Sequence, residues 1–504
     1  MKHNHTVEIS KRQSEISNRL ARSSGLDKSG PVLAGGNEEL LMSQRVQATA
    51  HGGMAVIHRL VRQIGLAEEI DSTLSLLKNH CPYYESDHIL NIAYNVLCGG
   101  RTLDDIENLR QDAAYMDALG AERIPDPTTA GDFLRRFKLK DVTKLQMAIN
   151  TVRQRVWKKQ PKSFFDRAII DIDGTIVGTT GECKEGMDMS YKGIWGFAPL
   201  LVTLANTKEV LFTRNRSGNR PSHDGAFNYL APAVELVREG GFKKVLLRGD
   251  SAFSLSEDFD HWTKDGVQFV FGVASKKNLI ELAEGIEDGQ WRRLKRDGRK
   301  ILGKNRAKMD RVKLERIKAR EYRHITLEEE HYAEFSYRPT KCKKDCRVVA
   351  LKKTLRIEKG QELLFPEIRY FFYITNAPKR EMTARQVIRH ANQRCDQENL
   401  IEQAKNGVYA MRMPCKEMLA NDAYIVAASL AWNLKAWISL LWHDKEEGEI
   451  IRNMEFPRFA RGIIEIPCQV VKSGRKLIHR FLGYTIWLQS LFKTHARIRR
   501  LKFN

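Results

Sequence analysis

The chain has 504 residues, 42% of them hydrophobic, which suits one to three domains with sizeable cores. Lys and Arg number 84 against 62 Asp and Glu, a formal charge of +22 with a pI near 9.6. That excess favours a polyanionic partner, nucleic acid first and a membrane surface second, and no run of about 18 apolar residues is present to span a bilayer.

Residues 1–48 are polar and read as a flexible N-terminus with at most one short helix. The opening "MKHNHTVEISKRQSEISNRL" has no apolar stretch of the secretory kind. Residues 49–160 follow a helical pattern: "GGMAVIHRLVRQIGLAEEI" sets Val56, Leu60 and Ile64 at helix spacing. "SDHILNIAYNVLCGG" carries both a polar start and a glycine stop. Several short helices on a basic chain permit a DNA-reading helix-turn-helix, and equally a plain helical layer.

From Phe165 the texture becomes β. "RAIIDIDGTIVG", "GFAPLLVTLAN" and "EVLFTRN" read as strands, the last two as a hairpin. "DGAFNYLAPAVELVREG" reads as a helix closed by glycines, and "KKVLLRGDSAF" and "VQFVFGVA" as further strands. Strands and helices alternating in this way indicate an α/β layer. Residues 276–366 interrupt it with a Lys/Arg-dense run and two β-like pieces, "AEFSYRP" and "CRVVALKKT", expected to form an inserted subdomain. The core then resumes with "YFFYITN" and one long helix, "TARQVIRHANQRCDQENLIEQAKNG". The segment 413–504 reads as helical and basic, with "LANDAYIVAASLAWNLKAWISLLW" apolar nearly all round and so buried.

Eight scattered cysteines make no disulfide framework and fit a reducing compartment. Cys342 and Cys346 are closely spaced, but two more ligands are lacking nearby, so free thiols are favoured over zinc.

The chemistry centres on three acids. Residues two apart on a strand share a face, so Asp171, Asp173 and Thr175 point together. Two carboxylates there have three explanations: a buried ion pair with Arg or Lys, a strand end in solvent, or a divalent-metal site. Asp250 ends an apolar strand, where open α/β sheets build sites. On the expected long helix, Arg394, Glu398 and Lys405 fall within about 40° of one another, either as a solvated charge ladder or as part of a site. Two strand acids and one helix acid form an oxygen-only set suited to Mg²⁺ or Mn²⁺ rather than zinc, and two such ions serve phosphoryl transfer.

"DIDGT", "RGDSAF" and "RCDQENLIEQAK" resemble the DDE transposases of bacterial insertion sequences, closest to the group with a Tyr-Arg-Glu-Lys signature. The resemblance runs from about residue 50 to residue 440. It implies a ribonuclease-H-like α/β core (161–275 and 367–412), interrupted by a basic β-rich insertion subdomain (276–366). A helical N-terminal DNA-binding domain (49–160) and a helical basic C-terminal region (413–504) would flank it. Asp173 (two residues before Thr175), Asp250 and Glu398 would be the catalytic acids and the ligands of two Mg²⁺ or Mn²⁺ ions, with Asp171 a fourth candidate. Arg394 and Lys405 would contact DNA phosphates, and Trp291, in the insertion, is a candidate to stack on an extruded base. The signature's tyrosine is absent: Ala391 stands in its place.

The implied function is binding of an element's terminal inverted repeats, metal-dependent cleavage at its ends, and joining of the 3′-hydroxyls to target DNA. A homodimer would pair two ends, in a bacterial cytoplasm at the nucleoid, with the 292–322 run and the C-terminal basic segment as further DNA contacts. The alternatives are an inactive DNA-binding regulator and a ribonuclease-H-like nuclease without strand transfer.

Overall fold

The structure is a computed structural model, described for residues 5–23, 39–41, 46–80, 82–296, 315–316, 319–320, 323–359, 362–363, 366–474 and 476–503. Most of the Lys/Arg-dense run of the expected insertion lies outside these residues. The chain forms two compact units: Met1–Phe164, Thr175–Arg220 and Asn399–Asn504 make one, Phe165–Gly174 and Pro221–Glu398 the other. These units join segments that are far apart in sequence and cut across the six expected segments.

The first unit is mainly helical, and its centre is the helix Met418–Leu440, buried along almost its whole length. The helices Glu85–Leu97, Pro127–Leu134 and Leu139–Trp157 pack around it. Pro127 sits at the first turn of its helix, and the Asp126 side chain accepts the Thr129 N–H, which satisfies one of the end's free donors. The hairpin Leu200–Leu204/Glu209–Arg214 also packs on the central helix.

Several polar groups in this interior are matched by specific partners. Fully buried Glu209 accepts from Arg153 Nε at 2.9 Å, Trp157 Nε1 at 2.9 Å and Trp437 Nε1 at 2.6 Å. Asn433 of the central helix bonds both the N–H and the carbonyl of Val210. Asp422 takes Arg214 at 2.5 Å and the Asn215 N–H at 2.8 Å. Unmatched, each such group would cost about 1–3 kcal/mol or more.

Two local expectations change. The N-terminal segment holds a 19-residue helix, His5–Ser23, and the C-terminal region is not purely helical. Cys468–Ser473 and Lys476–Phe481 form an antiparallel hairpin, which Ala48–Thr49 joins as a third strand. Among the described residues no helix is long and apolar enough to cross a membrane.

The second unit is built on one sheet. Ala168–Gly174, Val245–Gly249 and Gln268–Val273 are parallel neighbours. The helix Phe227–Glu239 makes the crossover between the first two and ends at Gly240. Beyond Gln268–Val273 the sheet turns antiparallel through Glu367–Thr375, Cys346–Lys359 and Arg323–Tyr337, with Arg292–Arg293 at the edge. The expected insertion therefore contributes strands to the core sheet itself. They are 15 and 14 residues long, well beyond the two short pieces expected. Cross-strand charge pairs such as Glu330–Lys353 and Glu334–Arg347 hide the strand periodicity under polar residues.

Candidate active site

The site grows from the parallel register of two strands. Asp171 is paired with Arg248, the last matched position of Ala168–Gly174 against Val245–Gly249. Two residues further along each strand stand Asp173 and Asp250, side by side at the carboxyl ends of the sheet, where α/β folds place their sites. Asp250 turns the chain sharply: its carboxylate accepts the Ala252 N–H at 2.8 Å and caps the short turn Ser251–Phe253.

Asp173 is the electrostatically loaded member. One oxygen accepts the Gly174 N–H at 2.8 Å and the other accepts Arg394 Nη1 at 3.1 Å. The two side chains are 14% and 17% exposed, at the mouth rather than in the core. Burial pushes the Asp173 carboxyl up to about 6; Arg394 opposes the rise and Asp250 adds to it. Burial and a neighbouring carboxylate thus act together against the negative charge.

That shift has a direct consequence for stability. A carboxyl raised from 3.8 to about 6 holds a proton in the folded protein that the unfolded chain has released. It therefore favours folding below about pH 4, and that contribution is lost as pH rises through 6. Asp173→Asn removes the loss. In EDTA the variant should gain melting temperature over wild type as pH rises from about 4 to 7, and the gap should then level off. Asp422, raised to about 6 by burial, titrates alike in both proteins and cancels. A gap that shrinks with rising pH would show that Asp173 is stabilised, not strained, by its surroundings.

Asp171 has a different role from its neighbour. Both its oxygens are taken by Arg248, Nε and Nη2 each at 2.6 Å, with the pair only 1–2% exposed. Burial raises its carboxyl, and the Arg248 contacts offset part of that rise. The third arm of Arg248, Nη1, reaches the His390 carbonyl at 3.2 Å. A strand acid therefore holds an arginine that ties down the end of the helix Ala384–Asn392.

The expected long helix is broken here. Ala384–Asn392 is a helix capped by Thr383 and Gln386; Gln393 and Arg394 form a turn; Cys395–Glu402 is a second helix; Gln403–Gly407 is a wider π-turn. Gln397 N–H bonds the Arg394 carbonyl at 2.9 Å, a tightened turn that releases Arg394 toward Asp173. The expected single helix that carries Arg394, Glu398 and Lys405 is thus a turn, an α-helix and a π-turn in succession.

The structure brings Asp173, Asp250 and Arg394 together. Glu398 sits exposed in the first turn of the second helix. Among the described residues no three His, Cys, Asp or Glu side chains are close enough to share an ion. Asp396, two residues earlier, is the acid of this helix whose charge reaches Asp171; sequence reasoning missed it, as it missed Arg248. Lys405, in the other unit, is half-buried and donates to the Ile176 carbonyl at 3.0 Å. Burial lowers its pKa, Glu402 opposes that, and Lys192 adds to it. Trp291 is half-buried, with its ring centre 6.1 Å from that of Tyr370 and Lys352 Nζ 5.4 Å above it. Ala391 packs beside the apolar cluster of Tyr332, Val387 and Ile388.

Oxygen donors suit a hard divalent cation. Asp173 and Asp250 fit one: they adjoin, and the charge on Asp173 is disfavoured until a cation offsets it.

No curated protein matches the chain. Among solved structures, a cryo-EM structure of a piggyBac transposase synaptic complex with hairpin DNA is similar at 9% identity and a TM-score of 0.36, covering 83% of this chain and 84% of that one. The model of the family described as "Transposase DDE domain group 1" matches residues 42–503, nearly the whole chain. With its paired strand-end aspartates inside that match, the chain belongs to the DDE transposases, enzymes of DNA recombination.

Proposed function

We propose that the protein is the transposase of a bacterial insertion sequence, of the Tyr-Arg-Glu-Lys-signature group. It binds the element's terminal inverted repeats, cleaves the ends by phosphodiester hydrolysis and joins the 3′-hydroxyls to target DNA. The observation that carries the reading is the pair Asp173–Asp250 at adjoining strand ends, with Arg394 against it. The parallel strands at the centre of the second unit support a ribonuclease-H-like core.

Asp173 and Asp250, with Glu398 as the third acid, would hold two Mg²⁺ or Mn²⁺ ions, whose chemistry is to activate the attacking oxygen and stabilise the leaving one. Arg394 shields Asp173 and exchanges it for a phosphate oxygen as DNA enters. Lys405 is a second phosphate contact, and Trp291 a base platform. Asp171 does not touch DNA; through Arg248 it fixes the helix end that precedes Arg394. The charge of +22 supplies non-specific attraction to DNA, and the working form is a homodimer on paired ends in the bacterial cytoplasm.

The test uses a plasmid carrying the inverted repeats that flank the gene. With Mg²⁺ the purified protein should release ends bearing 3′-hydroxyls at the repeat boundaries. Binding to the repeats without any cut would instead identify a regulator.

A further inference from the structure

The loop that follows the first acid ends in a small hairpin that the catalytic reading leaves unused. Asp188–Met189 pairs with Trp195–Phe197, and Val177–Gly178 adds a third strand. The turn Ser190–Gly193 is tightly closed: Gly193 N–H bonds the Ser190 carbonyl at 2.9 Å, Ser190 N–H bonds the Ile194 carbonyl at 2.9 Å, and Ile194 N–H bonds Ser190 Oγ at 3.1 Å. Gly193 takes φ +71°, a conformation that favours glycine. The base of the hairpin is equally fixed. A Cβ on Gly196 would lie 2.0 Å from the Val177 carbonyl oxygen, and one on Gly218 would lie 2.2 Å from that of Asp188.

On this rigid support the exposed side chains are of the wrong kind for a solvated turn. Tyr191 is 82% exposed and Trp195 45%. Met189, directly across from Trp195, is also exposed, as is Ile194. Among the described residues no ring stacks on either aromatic. Lys192 Nζ lies 5.6 Å from the Tyr191 ring centre, and its charge is felt by Lys405 as a like charge. Two aromatic faces on a preorganised tip, with Lys192 beside Tyr191 and its charge reaching Lys405, fit one ligand chemistry. An unstacked base offers a flat apolar face to the rings, and its phosphate offers an anion to the lysines.

We propose that the hairpin 188–197 is a second DNA-binding element, in which Tyr191 and Trp195 stack on unpaired bases while Lys192 and Lys405 hold an adjoining phosphate. The proposal rests on the DNA-acting reading above and adds to it a second base platform, on the hairpin 188–197, in addition to Trp291.

The full-length protein is tested on two duplexes of one arbitrary sequence, one fully paired and one with a single unpaired fluorescent adenine analogue. Wild type should bind the second about tenfold more tightly or better and quench its fluorescence. Tyr191→Ala with Trp195→Ala should abolish both the preference and the quenching, leave paired-duplex affinity unchanged and keep the wild-type melting temperature. Tyr191→Phe, which keeps the ring, should retain both. Lys192→Ala should weaken both duplexes alike and flatten the salt dependence by about one ion. Three results would overturn the proposal: no preference in wild type, a preference intact in the double variant, or a double variant whose only defect is loss of self-association in sedimentation. Failure of wild type to bind either duplex would overturn the transposase reading as well, so the two failures are distinguishable.

Discussion

Asp173→Asn should bind the element's ends as tightly as wild type and cleave them at a rate lower by about a thousandfold or more. The substitution keeps the size of the side chain and its bond to the Gly174 N–H, but removes a formal charge from the pair that would hold a divalent ion. Loss of several kcal/mol of stabilisation of the reacting phosphate corresponds to a rate loss of this size. Binding survives because the grip on DNA comes from Lys and Arg distributed over the chain. The same variant should be more stable than wild type at neutral pH without metal, since burial and Asp250 both oppose the charge it removes. Lower activity together with higher stability is the signature of a strained functional group. Substantial residual cleavage would move the role elsewhere, and Asp171→Asn would then be the next variant to assay.

Arg248→Ala should be the most destabilising single change near the site, by about 3–5 kcal/mol, because it leaves Asp171 buried without a partner. Its effect on activity should go beyond that loss. The guanidinium also holds the His390 carbonyl, so the turn carrying Arg394 loses one support. Thermal melts give the first effect; cleavage measured well below the melting point gives the second. The double change Asp171→Leu with Arg248→Met fills the same volume without charge, and should recover most of the stability. It should not recover the full cleavage rate, because the His390 contact is still missing. Full recovery of both would reduce Arg248 to a packing residue.

The sequence made the first strand and its paired charges legible, but not their division of labour. Alternation put Asp171 and Asp173 on one face, yet their surroundings differ. Asp171 is in the buried arginine pair, and Asp173 stands beside a second acid. The separating signal lies in two short pieces read together. "DID" and "RGD" lie on neighbouring parallel strands, so a register that sets the first Asp against Arg sets the second against Asp. Neither piece reveals this alone, because register is a tertiary property.

The helix break at Gln393–Arg394 left no mark in the sequence either. No Gly or Pro stands there, and the turn is held by the bond from Arg394 to a strand far away in the chain. The long strands 323–337 and 346–359 were concealed for another reason: they carry charged pairs such as Glu330–Lys353 where apolar residues would mark a strand, and a register shift near Leu327 and Glu329 breaks the alternation. The buried helix Met418–Leu440 was fully legible, because apolar residues on every side leave only an interior position.

The central claim is that Asp173 and Asp250 serve DNA breakage followed by joining. The most direct measurement incubates the protein, Mg²⁺, a labelled fragment ending in the flanking repeat, and an unlabelled target plasmid, then looks for label covalently attached to the plasmid. Wild type should yield joined product through the fragment's 3′-hydroxyl, and Asp173→Asn and Asp250→Asn should each yield none. Cut fragments with no label ever reaching the plasmid would contradict the claim and leave a nuclease in place of a transposase.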